Sequence, residues 1–467
     1  MEDCLMNIIS ILATFLDDDQ ISVNATVLEQ HSKDESYHTP HDPDVVVFPK
    51  TTEEVSKILK VANENRIPIV PFGLGSSLEG HVIPYQGGIS IDFQLMNKVL
   101  EVRPEDFLVR VQPGVTRSQL NKELKKHGLF FTVDPGADAT LGGMASTNAS
   151  GTTSVRYGVM RDQVRDMEVV LADGRVIHTG SKTAKSSSGY HLNGLFVGSE
   201  GTLGTFTELT LNVYGIPEAT LAGRIVFPTI EQAVSTVTNI LHAAIPVARI
   251  ELVDARSVQQ VNKTNETNYI EKPTLFIEFH GNEAGLNQDV AFAKSIAEDN
   301  QCEEFIFEHD TKKRALLWEA RHNLAYSFSH GSPGKKMMVT DVCVPISELT
   351  GAITDARKAI ETYGLDGALL GHVGDGNYHA IVMINPNDPI ELEKATKLNQ
   401  HLVHYALERG GTCTGEHGVG TGKAQYQQKE HGAALDVMLA VKHTLDPNGI
   451  MNPGKIFAID KEQSSII

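Results

Sequence analysis

Cysteine is scarce in this chain. Its 467 residues include four, Cys4, Cys302, Cys343 and Cys413, too far apart to form a C-x-x-C pair. That spacing excludes an iron–sulfur cluster and a redox disulfide of adjacent thiols, and it suits a reducing cytoplasm, the location expected here. Basic charge is short as well. Forty Lys and Arg against 59 Asp and Glu leave a net charge of −19, which repels polyanions and excludes nucleic acid as a partner. Long apolar runs are also missing. The stretch from Leu5 to Phe15 falls well short of a membrane span of roughly 20 residues, so no membrane span is expected. It follows Glu2 and Asp3, where a signal peptide carries positive charge, and it reads as an amphipathic helix ending near Asp17-Asp18-Asp19.

What is present is an ordinary globular composition, 41% apolar, in a chain longer than one core usually organises. The expected fold class is α+β in three parts: an N-terminal helical segment over residues 1–40, a first domain over 41–216 and a second over 217–457. In the first domain Val45-Val46-Val47 reads as a buried strand. Thr51 and Glu54 form a capping box for a helix to about Asn65, and Ile67 to Val70 returns as a strand. The pattern repeats at Val109 to Val111, with a helix from Thr116 through Lys126 and a strand at Phe130-Phe131. Beyond Pro217 the expected order is Arg224 to Phe227, a helix over Ile230 to Ala243, Ala248 to Leu252, Thr274 to Phe279, a helix near Asp289 to Glu298, and Glu304 to Phe307. This is the β-α-β-β-α-β pattern of a ferredoxin-like sheet. A related half follows, with Met337 to Val344 as strand and helices over Leu349 to Tyr363 and Glu391 to Glu408.

Glycine gathers in three loops. Pro71-Phe-Gly-Leu-Gly-Ser-Ser-Leu-Glu-Gly80 follows a strand but is no dinucleotide fingerprint, because Leu78 stands where glycine is needed, and it lacks the Gly-Lys-Ser/Thr of a Walker loop. Gly73 and Gly75 still allow close backbone approach, and the amides of Gly75, Ser76 and Ser77 could bond pyrophosphate; a tight structural turn fits the same residues. The second loop runs from Asp134 to Gly151 and on to Arg156-Tyr157-Gly158, and the third is Gly198 to Gly204. Glycine-rich loops this long usually wrap a ligand. Together the three resemble the vanillyl-alcohol-oxidase type of FAD-binding domain, over about His41 to Gly215. The resemblance implies that Pro71, Gly73, Leu74, Gly75, Ser76, Ser77 and Leu78 hold the pyrophosphate. Pro135, Gly136, Thr140, Gly142 and Gly143 would pass beside the flavin. Asn148, Gly151, Arg156 and Tyr157 would bind the rest of the cofactor, with Glu200 near the adenosine end. No His or Cys lies between Pro71 and Leu78, so non-covalent FAD is expected.

Gly371-His372-Val-Gly-Asp-Gly-Asn-Tyr-His379 places two histidines seven apart. Ala368 to Val373 and Tyr378 to Ile384 read as strands, and Gly374 to Asn377 as a turn. A four-residue turn would set Val373 opposite Tyr378 and His372 opposite His379, with Cβ atoms about 4.5–5.5 Å apart, a gap that suits two imidazoles sharing one ion. Glu416, beside His417 in a glycine-rich loop, offers the missing carboxylate. Two hydrogen-bonded histidines with no ion is the competing reading.

At these residues the chain resembles the D-lactate dehydrogenase (cytochrome) and D-2-hydroxyacid dehydrogenase family, which includes the FAD-binding subunit of bacterial glycolate oxidase. The most specific stretches are Thr340 to Pro345, Gly371 to His379, Gly411 to Gly418 and Met451-Asn-Pro-Gly-Lys455. The resemblance implies FAD-dependent oxidation of a small D-2-hydroxy acid such as D-lactate or glycolate. It implies a divalent metal, Zn or Mn, on His372, His379 and Glu416, proton abstraction by His417, substrate carboxylate binding by Arg321, and Asn452 approaching the flavin. The C-terminal segment of the cap or substrate domain would return to the flavin. Lys335-Lys336 does not align with the lysine some relatives use for a longer diacid, and no mitochondrial leader is seen. Without a nicotinamide fingerprint or cluster cysteines, electrons are expected to pass to a cytochrome, a quinone or a partner redox protein. A homo- or hetero-oligomer is compatible with the chain, and an inactive or accessory flavin subunit of a glycolate oxidase complex is the alternative function.

Overall fold

The computed structural model describes residues 8–458 apart from 266, 323 and 333. Leu5 to Asn7 of the expected N-terminal helix lie outside the described residues. Ile8, Leu12 and Leu16 are buried against Val45, Val47 and Val55. Two compact units emerge. One comprises residues 8–150, 159–216 and 416–458, the other 151–158 and 217–415.

The first unit contains two main sheets. In the smaller, strands Val45–Val47 and Ile69–Phe72 flank Ile89–Asp92 in parallel, and the edge strand Ile21–Ser22 runs antiparallel to Val45–Val47. The crossover from Val45–Val47 is the helix Thr52–Asn65. Its start is set by Thr51, whose hydroxyl accepts from the Glu54 amide at 3.2 Å, a cap worth about 1 kcal/mol. Val55, Ile58, Leu59 and Ala62 recur at helical spacing and are buried. Arg66 turns left-handed at φ 55° and ends the helix, so the next strand starts at Ile69, two residues later than expected. The larger sheet is antiparallel, in the order Val99–Arg103, Leu108–Val111, Thr205–Asn212, Val164–Val170, Val176–His178. Residues 416–458 return to the smaller sheet, where the Ile69 amide donates to Ile450 O and the Asn452 amide to Ile69 O, both at 2.8 Å.

The second unit is built on one eight-stranded sheet. Its first half runs Glu304–Glu308, Ala219–Val226, Thr274–Gly281, Val247–Val253, so strands one and two lie parallel on either side of strand three, as in a ferredoxin-like unit. The second half repeats this order. Gly367–Gly371 pairs with Asn377–Ile384, which pairs with Lys336–Val339 and Val342–Cys343, and the fourth strand is reduced to one bridge between Cys343 and Thr412. The halves join where Leu252 and Val253 pair with Gly371 and Leu370.

One register differs from expectation. His379 pairs with Leu370, and the loop between the strands takes in residues 372–376. Gly376 is the reason. At φ 81° it redirects the chain so that Asn377 already pairs with Cys343, and a Cβ at Gly376 would overlap the Val344 carbonyl. His372 and His379 therefore meet as diagonal rather than direct neighbours, still on one sheet face.

Candidate active site

In the second unit, one face of the sheet carries charge where neighbouring positions are apolar. Strand Val247–Val253 alternates Arg249, Glu251 and Val253 on this face. Glu251 lies one residue beyond the Leu252–Gly371 pair, directly across from His372. It is wholly buried, and it accepts from His372 Nδ1 through Oε1 and from the Arg321 guanidinium through Oε2, both at 2.6 Å. Helix Thr311–His322 carries Arg321, whose Nε is buried without a hydrogen bond.

His379 is held from the other side. Its Nδ1 is 3.1 Å from Thr340 O and 3.6 Å from Asp341 Oδ1. A carbonyl can only accept, so Nδ1 is the donor in that contact. Asp341 is itself anchored by Asn377 Nδ2, the Thr414 hydroxyl and the Gly415 amide, at 2.6–2.8 Å. The two imidazoles are edge-on, 5.6 Å between centroids, and a ring nitrogen of each lies within 4.8 Å of the other. Two adjacent imidazoles are donors that could hold a borderline divalent ion.

The same face continues into a second polar group. Glu278 accepts from His280 Nε2 at 2.7 Å and from Trp318 Nε1 at 2.6 Å, and Arg249 stacks over the Trp318 ring. Burial opposes its charge, but His280, Arg249 and Trp318 together hold the carboxyl below the usual range. Of the residues expected to bind FAD, Arg156 and Tyr157 point here: Arg156 donates to Pro246 O at 2.7 Å, and the Tyr157 hydroxyl meets His280 Nδ1 at 2.9 Å. Gly151 donates to the Ser154 hydroxyl.

The first unit holds the remaining expected residues. Pro71 and Phe72 end a strand, Leu74 is half exposed, and the Ser77 hydroxyl donates to Asp34. Thr140 caps the helix Leu141–Thr147, accepting from Gly143, and Asn148 closes it at φ 51°. Gly73 passes so close that a Cβ there would lie 2.5 Å from Thr140 Oγ1. Glu200, left-handed at φ 52°, accepts from the amides of Val419 and Gly420 at 2.7 and 2.8 Å. Asn452 donates to His81 O and Glu200 O, while its Oδ1 is buried without a partner. His81 lies 3.4 Å from Glu200. Burial disfavours charge on His81, but Glu200, Asp34 and Glu79 hold its pKa above the ordinary value. A glycine approach without room for a side chain, together with an unpaired buried amide oxygen, fits a flat polar cofactor. Glu416 accepts from the Ser150 hydroxyl at 2.9 Å, and His417 follows it, partly buried.

Two family models match: FAD binding domain over residues 43–180, and FAD linked oxidases, C-terminal domain, over residues 216–456. The chain belongs to the FAD-linked oxidase family. It is 44% identical to a probable mitochondrial D-lactate dehydrogenase of Danio rerio, over 97% of this chain and 92% of that one. It is 42% identical to a mitochondrial D-lactate dehydrogenase (cytochrome) of Arabidopsis thaliana, over 96% and 80%. With glycolate oxidase subunit GlcD of Bacillus subtilis (strain 168) it shares 34% over 90% of each. Among solved structures, p-cresol methylhydroxylase with substrate bound superimposes with a TM-score of 0.83 at 19% identity, over 98% of both chains. Alkyldihydroxyacetonephosphate synthase gives 0.76 at 21%, over 96% of this chain and 84% of that one. The fold of this FAD-linked oxidase is thus the vanillyl-alcohol-oxidase type with an α+β second part.

These relatives correct one expectation. Those of Danio rerio, Arabidopsis thaliana and Saccharomyces cerevisiae carry "mitochondrial" in their names, which points away from the cytoplasm. Unpaired thiols do not separate one reducing compartment from another. Among the described residues no helix is long and apolar enough to cross a membrane.

Three groups escaped the sequence reading. Glu251 and the Glu278–His280 pair sit in strands whose alternation looks like a solvent face. Asp341 stood within Thr340 to Pro345, a stretch already marked as specific.

Proposed function

We propose that this FAD-linked oxidase converts a small D-2-hydroxy acid, D-lactate or glycolate, to the 2-oxo acid. The observation that carries the reading is the 44% identity to a D-lactate dehydrogenase across 97% of the chain, in a protein whose second unit sets the His372 and His379 rings 5.6 Å apart. FAD, when bound, supplies the acceptor for the hydrogen and electron pair that leave the substrate Cα. A divalent ion, Zn or Mn, would be held by His372, His379 and Glu416 and would acidify the substrate hydroxyl. Support for the third ligand is chain continuity: Glu416 follows Gly415, whose amide is tied to Asp341 at 2.8 Å.

The protein's own groups divide the remaining work. Arg321 holds the substrate carboxylate in a charge-assisted pair, which sets the face that is oxidised. An imidazole nitrogen of His417 receives the hydroxyl proton. Electrons then pass to an external acceptor, and the word cytochrome in two relatives' names supports a cytochrome. An accessory, inactive subunit would have no use for the full set of His372, His379, Glu416 and His417.

The test is anaerobic. Protein holding FAD is mixed with D-lactate, glycolate or L-lactate, and the oxidised-flavin band is followed. D-lactate or glycolate should bleach it, and L-lactate should not. FAD-loaded protein that no 2-hydroxy acid bleaches would refute the reading.

A further inference from the structure

We infer that Glu251 is a positioning residue: one buried carboxylate that orients the metal-binding imidazole of His372 with one oxygen and the guanidinium of Arg321 with the other. The inference rests on the proposed metal and carboxylate roles of those two residues. Three observations carry it. Both contacts are 2.6 Å, short even for charge-assisted bonds. Glu251 is fully buried, so no water competes for either oxygen. The sheet register puts it directly across the seam from His372, so the contact follows from backbone pairing rather than from a mobile side chain.

The chemistry is specific. A carboxylate that accepts from Nδ1 keeps the proton there and leaves the Nε2 lone pair for an ion, fixing both tautomer and ring plane. The second oxygen restrains an arginine that would otherwise swing on three methylenes, so the substrate carboxylate meets a preset fork. Metal ligand and carboxylate binder thus share one anchor, which ties the place of the substrate hydroxyl to the place of its carboxylate.

The experiment uses full-length FAD-loaded protein without substrate, with Zn²⁺ or Mn²⁺ affinity measured by competition with a chromogenic chelator. Glu251→Gln keeps the shape but accepts through only one atom. It should weaken metal binding about 10–100-fold with FAD content unchanged. In a His372→Ala background the same substitution should cost no further affinity, because Glu251 acts through His372; a merely structural role would cost the same in both. KM for D-lactate should rise in Glu251→Gln as Arg321 loses its anchor. Should Glu251→Gln fail to fold, Glu251→Asp, which retains charge and both oxygens, is measured the same way and should show a smaller loss. Unchanged affinity in a folded variant overturns the inference and leaves the metal reading standing. Wild-type protein that binds neither ion overturns the metal reading and the inference with it.

Discussion

The buried ammonium of Lys455 donates to the carbonyl of Ile83 at 2.8 Å, with the Tyr85 ring 4.9 Å away. Burial lowers its pKa to about 8, against the pull of Glu200 and Asp34. An unfolded lysine keeps its proton to about pH 10.4. Between these values the unfolded chain binds more protons, so native stability rises with pH; below about 8 the cost of the buried charge is felt in full. Lys455→Met should remove that dependence. The unfolding midpoint of wild type relative to the variant should climb between pH 8 and about 10.4, and a constant difference across that window would contradict the assignment.

Gly376 sets the register of the histidine hairpin. Gly376→Ala adds a left-handed penalty of about 1–2 kcal/mol and a collision with the Val344 carbonyl. A midpoint drop is expected together with loss of Zn²⁺ or Mn²⁺ binding, since Asn377 can no longer start its strand in place. Normal metal binding in this variant would show that the hairpin tolerates another loop.

His417 is proposed to receive the hydroxyl proton. His417→Ala should retain FAD and metal while flavin reduction by D-lactate slows by about 10²–10⁴-fold, the usual share of a positioned base. Stopped-flow reduction and metal content are measured on one sample. Near-normal reduction would move the base elsewhere, and lost metal would make His417 a ligand.

The close approach of Gly73 to Thr140 predicts the behaviour of the loop proposed to hold the pyrophosphate. Gly73→Ala forces Thr140 from its capping position, so FAD affinity should fall about tenfold or more, equal to at least about 1.4 kcal/mol. Fluorescence titration of apoprotein with FAD reads this directly, and unaltered affinity would place the cofactor away from this loop.

Much of the scaffold was legible because its signals are local. Thr51 and Thr116 mark helix starts through their own hydroxyls, and the helix Leu349–Tyr363 has the bounds expected of it. The two histidines were legible because glycine turns and apolar strands surround them. Their pairing was misjudged by two residues, since the left-handed bend at Gly376 depends on Cys343, far away in sequence. Glu251 was not legible at all. Period-two alternation assigns a charged strand face to water, and only the packing of helix Thr311–His322 and the second half-sheet turns that face inward.

The seam between the half-sheets governs when this protein can become functional during synthesis. Glu251 and His372 are 121 residues apart, and they meet only once Leu252 and Val253 find Gly371 and Leu370. A ribosome must deliver the chain beyond His379 before the imidazole pair exists. Unlike small domains that fold around their metal, this chain sets His372 against Glu251 only after a long-range pairing has formed.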